Sequence, residues 1–589
     1  MITLRRRLRL DEVGTDRGMA MAIVLIFGMV ILVMAATAVG VAMSGLQKST
    51  RESSWSAAIA AAYAGVEDYQ ARLANDASYF RYGNSAAPFS RSSTSLVMPA
   101  STSENKAFSL GTSPTAWATV PGSGGGSKFR YEVDNSSYAS KGTLRLRATG
   151  TAGGVVRSVV AEVRQKGFID YLYFTDQENP DPDLVDTSAT ACVDKYAWQG
   201  RSAATCQAIA FGSGDVLRGD VHSNDTMRIC QATFETSVTT SSTTYSTGLR
   251  YLATDSNGNR CSGQSFPNRA TQPGFRETYD LPRTNTEQKR ETRYDLEFDA
   301  TSPVLAPGCL YTGPTSVVFN SDGTMTVKSP NTKFVQTAGD TAGAGRANNS
   351  QCGSVAALRS ATGATVPVLD NNLLYVQDIP TSPSDVNTTP VSVLPENSCS
   401  GNGVGFPMAA EKAPGADVTG RGSCAYDARK GDVFVKGTLK GSTTIASQNY
   451  LYVTGDLKYA DQSRDMLGLS PAGTAWIYNP VNSSNGAILS STLRVNEVNA
   501  AIISLKHSIT VQNYDRGGSR GTLTIRGALG QKFRGIVSNG SNGYVKNYVY
   551  DSRLKTLSPP KFISPVTTVY GITTVTEVSA AFTAKGAAS

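Results

Sequence analysis

His222 stands three residues ahead of Asp225 in Val221-His222-Ser223-Asn224-Asp225. An imidazole oriented by a carboxylate is the pairing that activates a serine for acyl transfer. No Gly-x-Ser-x-Gly elbow accompanies it, and an Asn-Asp turn at a strand end uses the same letters, so a structural turn is expected. The chain has 2 histidines. The other, His507, lies in Ser504-Leu505-Lys506-His507-Ser508-Ile509, where a strand end without a partner is expected. Two distant histidines do not make a three-histidine metal site. Asp176, Glu178, Asp181 and Asp183 gather in a proline-broken stretch whose oxygens could hold calcium, but no EF-type loop or Gly/Asp repeat surrounds them. A solvated acidic loop is expected. Asp432, Asp456 and Asp551 are available for glycan chemistry; Gly-Asp turns account for the first two and an ion pair with Arg553 for the third. The expectation is no enzyme, no catalytic residue, no metal and no cofactor.

The 8 cysteines are Cys192, Cys206, Cys230, Cys261, Cys309, Cys352, Cys399 and Cys424, with no Cys-x-x-Cys pair among them. An even, widely spaced set on exported chain favours disulfides over metal. Spacing does not fix their connectivity. Local stapling of insertions predicts pairing in sequence order: Cys192 to Cys206, Cys230 to Cys261, Cys309 to Cys352, Cys399 to Cys424.

The elements that carry these residues begin with a long uncharged run. No charged residue occurs between Arg17 and Lys48. The run exceeds the roughly 20 apolar residues that a helix needs to cross a bilayer and is longer than a secretory h-region. Arg5, Arg6, Arg7, Arg9 and Arg17 precede it, which places the amino terminus on the cytoplasmic side and the rest outside. Beyond Lys48 the alanine-rich, proline-free sequence sets Trp55, Ile59, Tyr63, Val66 and Tyr69 three or four residues apart. Span and extension together predict one helix of about 55 residues, roughly 80 Å long.

A basic leader ending at Gly18, followed by such a run and by Ala62-Tyr63-Ala64-Gly65-Val66-Glu67, resembles the PilX-type minor pilins over about the first 75 residues. The resemblance implies cleavage between Gly18 and Met19 by a prepilin peptidase and assembly with other pilins and the pilus machinery. Counting Met19 as the first mature residue, the fifth is Ile23, where major pilins carry a glutamate thought to pair with a neighbouring amino terminus. An unpaired carboxylate in lipid is expensive, so its absence eases retention in the membrane and removes that pairing. The implied subunit is minor: initiating, tip or accessory. A membrane-anchored surface protein without a filament partner is the alternative. The segments Gly167 to Asp176 and Tyr548 to Pro560 also look like parts of large exported PilX-like proteins.

After the helix, Thr143 to Ala148 and Val155 to Val163 alternate around a glycine-bearing turn and predict a hairpin of a small pilin-like sheet. Further on, Gly-x-aliphatic steps recur at Gly219, Gly431, Gly437, Gly455, Gly521 and Gly527, as the corners of a right-handed parallel β-helix would require. The expected fold is therefore mainly β with a long N-terminal α-helix, a small sheet, then a parallel β-helix. A β-sandwich is the rival. The expected divisions are a leader at 1–18, a transmembrane and pilin helix at 19–77, a β head at 78–166, a disulfide-bearing β region with insertions at 167–430, and a solenoid-like domain at 431–589.

The net charge of +8 comes without basic blocks or interleaved aromatics, so no nucleic-acid partner is expected. Tyr450, Tyr452, Tyr459, Trp476, Tyr478, Tyr544, Tyr548 and Tyr550 are aromatics of the kind that stack on a surface glycan or anchor a protein ligand, with core packing expected to claim about half of them.

Overall fold

The computed structural model describes residues 17–75, 79–80, 83, 117–138, 143–185, 192–201, 206, 209–244, 247–296, 307–339, 344–394, 401–414, 425–563 and 569–580. Most of the expected leader and parts of the β head lie outside the described residues.

Helix α1 runs from Arg17 to Asn75, 59 residues without a break. Good helix formers and the absence of proline permit that length, and tertiary packing supports only its second half. Ala58, Ala61, Ala62, Val66, Tyr69 and Leu73 are buried and fall on one face at helical spacing, so they form one stripe. That stripe lies on an antiparallel sheet of β1 (Ala118–Thr119), β2 (Ser127–Asp134), β3 (Thr143–Ala152) and β4 (Val155–Lys166), closed at its far edge by the terminal strand Val569–Val578. The β3–β4 turn is Gly153-Gly154, both at positive φ, as a two-residue hairpin turn demands. Gly150 permits the close approach of helix and sheet: a Cβ there would stand 2.1 Å from the carbonyl oxygen of Ala58.

The rest is dominated by one 21-stranded sheet. Most of its strands pair in parallel along three ladders, with antiparallel pairings only at Thr315–Phe319 with Thr324–Lys328, Thr324–Lys328 with Ala364–Pro367, and Ser538–Asn539 with Asn542–Tyr550 among the described residues, and alternate side chains point to a common core. Along the first ladder, Cys309, Leu374, Ile445, Leu469, Ile502, Leu529, Tyr173, Val221 and Val238 lie in consecutive register. The second aligns Val317, Val435, Val453, Ile477 and Val511. The third aligns Gly437, Leu457, Val498, Ile525, Tyr548, Leu217 and Phe234. All but Gly437 of these belong to one hydrophobic cluster. Gly437 and Gly527 sit where successive layers touch. A Cβ at Gly527 would be 1.8 Å from the Ala500 carbonyl oxygen, and one at Gly437 2.2 Å from that of Phe319.

The order of layers departs from the order of the chain. Tyr173–Gln177 lies between Ser519–Phe533 and Val221–Ser223, so the early strands continue the stack that the late strands build. Having passed through the strand Gly274–Phe275, the chain returns along the outside of the first ladder. There the Asn285 amide donates to the carbonyls of Ser447 and Ser470, each at 2.8 Å, and the Tyr375 hydroxyl donates to Asn285.

Strands on both sides of the 430/431 boundary share the same ladders. Within 431–589, the strand Val569–Val578 pairs with β4 in the sheet of the head. The helix is described as far as Asn75, and residues 76 and 77 lie outside the described residues. Disulfides join Cys192 to Cys206, Cys230 to Cys261 and Cys309 to Cys352. Cys399 and Cys424 fall outside the described residues.

Candidate functional site

The first half of α1 is the most distinctive surface of the molecule. Met19, Ile23, Val24, Leu25, Ile26 and Phe27 are exposed, and exposed apolar residues continue through Leu46. Gly18 falls in the first turn of the helix. Exposed apolar surface on this scale marks an interface with lipid or with other chains, and this helix is long and apolar enough to cross a membrane. Gly28, Gly40 and Gly45 have no neighbouring atom within 4 Å of where a Cβ would stand, so these small positions are open to an approaching helix.

The second half is locked to the head. The Tyr131 hydroxyl donates to Asp68 at 2.7 Å, and Asp68 in turn pairs with Arg72 at 2.8 Å. Burial and the Asp68 charge together push the Tyr131 phenol well above its ordinary range. On the sheet face turned away from the helix, Arg147 and Glu132 form a buried ion pair at 2.8 Å. Trp55 is clasped by Arg157, whose guanidinium carbon lies 3.6 Å from the ring centre. The head meets the parallel stack through Gly167 to Asp176, where Phe168, Ile169, Leu172, Tyr173 and Phe174 are buried and Arg164 pairs with Asp170.

The candidate chemical groups resolve differently. His222 is buried; its Nδ1 meets the Thr239 hydroxyl at 2.9 Å and its Nε2 the Asn224 side-chain oxygen at 3.2 Å. Asp225 instead pairs with Arg201 at 2.6 Å, so histidine and aspartate form no base pair for a nucleophile. Burial pulls the His222 imidazole down to about 4. Asp432 accepts from the Asn449 side chain and the Tyr450 N–H, Asp456 from the N–H groups of Asn496 and Glu497, and Asp551 from Arg553.

The acidic loop is where expectation fails. Asp176, Glu178 and Asp181 are buried, while Asp183 is exposed. Glu178 pairs with Arg534 at 2.8 Å, Asp176 accepts from the Tyr196 hydroxyl at 2.7 Å, and Asp181 meets His507 at 2.8 Å. His507 thus has a partner that lies 326 residues away in the chain. No local pattern announces that contact, because it forms only when the early strands stack on the late ones. Beside the Glu178–Arg534 pair, a cavity of about 20 Å³ is lined by Tyr173, Asp215, Lys546 and Tyr548 and has room for roughly one water.

Burial takes more of the aromatics than expected: Tyr452, Tyr459, Trp476, Tyr478, Tyr544 and Tyr548 are buried. Phe434, Tyr452 and Trp476 stack on the outer side of the second ladder, and Phe406 covers them at 4.3 Å from Phe434. The covering segment is pinned by Glu411, which accepts from the hydroxyls of Tyr426 at 2.6 Å and Tyr478 at 3.0 Å.

No protein-family model matches the chain, and no curated protein matches it. Among solved structures, the crystal structure of the competence-associated pilin ComZ from Thermus thermophilus is similar over 89% of this chain and 98% of its own, at 11% identity and a TM-score of 0.25.

Proposed function

We propose that this chain is a minor pilin or pilus-associated surface protein of the PilX-like kind. Its leader is removed after Gly18 by a prepilin peptidase, and the helix from Met19 passes from the membrane into a pilus-like filament. The β-rich ectodomain is carried outside for assembly priming or adhesion to a surface glycan or protein. One observation carries this reading: a single unbroken helix has an apolar half left bare and a second half docked on an antiparallel sheet. A plain anchor needs a span; a filament stem needs the rigid continuation as well. The arginines before the span favour an amino terminus in the cytoplasm.

We read the three parallel ladders as coils of a right-handed parallel β-helix, a rigid platform without enzymatic activity. What supports the latter is that Asp432, Asp456 and Asp551 are each engaged in turns or an ion pair. Ile23 at the fifth mature position favours a rare subunit over a bulk one, and is also compatible with a static surface anchor. Intact-mass measurement of the mature protein separates these readings. The expected mass lacks residues 1–18, and recovery of the full leader would sink the pilin assignment.

A further inference from the structure

We propose that His507, Asp181 and Asp183 bind a single divalent cation of the zinc class, which ties the loop after the strand Tyr173–Gln177 to the turn before Ile509–Val511. The His507 Nδ1 lies 2.8 Å from an Asp181 carboxylate oxygen and 3.9 Å from one of Asp183. One ligand atom from each residue falls within 4.8 Å of the others. Donors held about 2.0–2.2 Å from one ion stand roughly 3–4 Å apart, so the side chains are near ligating distance without rearrangement of the backbone.

Two further observations point to a cation here. The donors are mixed, one imidazole nitrogen and two carboxylates, which is a transition-metal set; calcium prefers six or more oxygens. The Asp181 side chain is only 2% exposed, and its hydrogen-bond donors among the described residues are His507 and the Asp183 N–H at 2.9 Å. A buried carboxylate without a permanent cation is costly.

The loop is built to hold this geometry. Pro180 and Pro182 flank Asp181, and the N–H groups of Leu184 and Val185 donate to its carbonyl at 3.0 and 3.1 Å, closing a tight turn that brings Asp183 to the same side. The His507 carbonyl accepts from the N–H groups of Lys532 and Phe533, which fixes the backbone from which the ring projects. Two carboxylates and a neutral imidazole carry a charge of −2 that a divalent ion cancels. The Asp183 side chain is 60% exposed and that of His507 16%, so a fourth position faces solvent and takes water.

The test uses the full chain in detergent, purified without a histidine tag and stripped with chelator. Zinc(II) is titrated by calorimetry, and cobalt(II) serves as a spectroscopic probe. One equivalent of zinc is expected, with a visible cobalt ligand-field band and a raised melting temperature. Asp183→Asn, at a mostly exposed position that leaves the core intact, should weaken binding at least tenfold, and His507→Gln should abolish the cobalt band. Absence of saturable binding overturns the site. Equal binding by both variants, or calcium taken in preference to zinc, overturns it as well.

Discussion

Removing the Arg534 guanidinium tests the non-sequential stacking directly. Arg534 follows the strand Ser519–Phe533 and Glu178 follows Tyr173–Gln177, and these strands are partners in the first ladder. The two side chains are each 1% exposed and meet at 2.8 Å, and Arg534 also lies 3.6 Å from the Phe211 ring centre. Arg534→Met keeps most of the volume but strands the Glu178 carboxylate in the interior. Breaking one side of a buried pair costs about 3–5 kcal/mol, and the lost stacking adds about 1 kcal/mol. Glu178→Leu combined with Arg534→Met removes both charges and should return to within about 1 kcal/mol of the parent, because neither ion then has to be desolvated. Equilibrium unfolding of the detergent-solubilised chain in guanidinium measures both. A loss of about 4 kcal/mol corresponds to a midpoint shift of roughly 0.5 M for a slope of about 8 kcal/mol/M. Hydrogen exchange should rise together at 173–177 and 529–533 in the single variant. A single variant within about 1 kcal/mol of the parent, or a double variant as unstable as the single, refutes the argument.

Other outcomes follow from the same geometry. Because burial holds the His222 imidazole at about 4 against an ordinary 6.5, the folded chain favours its neutral form. That contribution is complete above pH 6.5 and is lost as the pH falls towards 4, amounting to roughly 3 kcal/mol; the difference in pH–stability profile between parent and His222→Gln measures it, and parallel profiles count against it. Gly150→Val drives a side chain into the backbone of Ala58 and Ala62 and should cost about 3 kcal/mol or more, read as faster hydrogen exchange across 58–73. Unchanged protection there would show that the helix is not seated on the sheet. Ile23→Glu should shift the protein several-fold from the membrane fraction to sheared filaments, since a carboxylate is expensive in lipid unless paired; an unaltered distribution argues against filament docking through that position.

The chemical candidates illustrate what a linear reading can weigh. His222 and the Asn224-Asp225 pair carry more than a local turn: Thr239 meets the imidazole, Asn224 bonds Asp176 and Tyr279, and Asp225 pairs with Arg201. The acidic loop misled because charge predicts solvent only when no partner is supplied from elsewhere, and Arg534 and His507 supply such partners. The aromatics misled in the same direction: Phe406 and Tyr426 cover a row that strand alternation alone would leave outside.

The uncharged helix, its amphipathic continuation and the Gly153-Gly154 hairpin are legible in the chain, because each is set by neighbouring residues; the three described disulfides follow the sequence order that local stapling predicts, although spacing leaves their connectivity open. That Tyr173 stacks on Leu529, that the strand Val569–Val578 closes the sheet of the head, and that Asp181 reaches His507 emerge only from the folded chain. Parallel layers share the same inward alternation, so many aliphatic runs would fit a given layer and no tight turn dictates the neighbour. The choice falls to contacts between residues hundreds of positions apart, which exist only once the stack has formed.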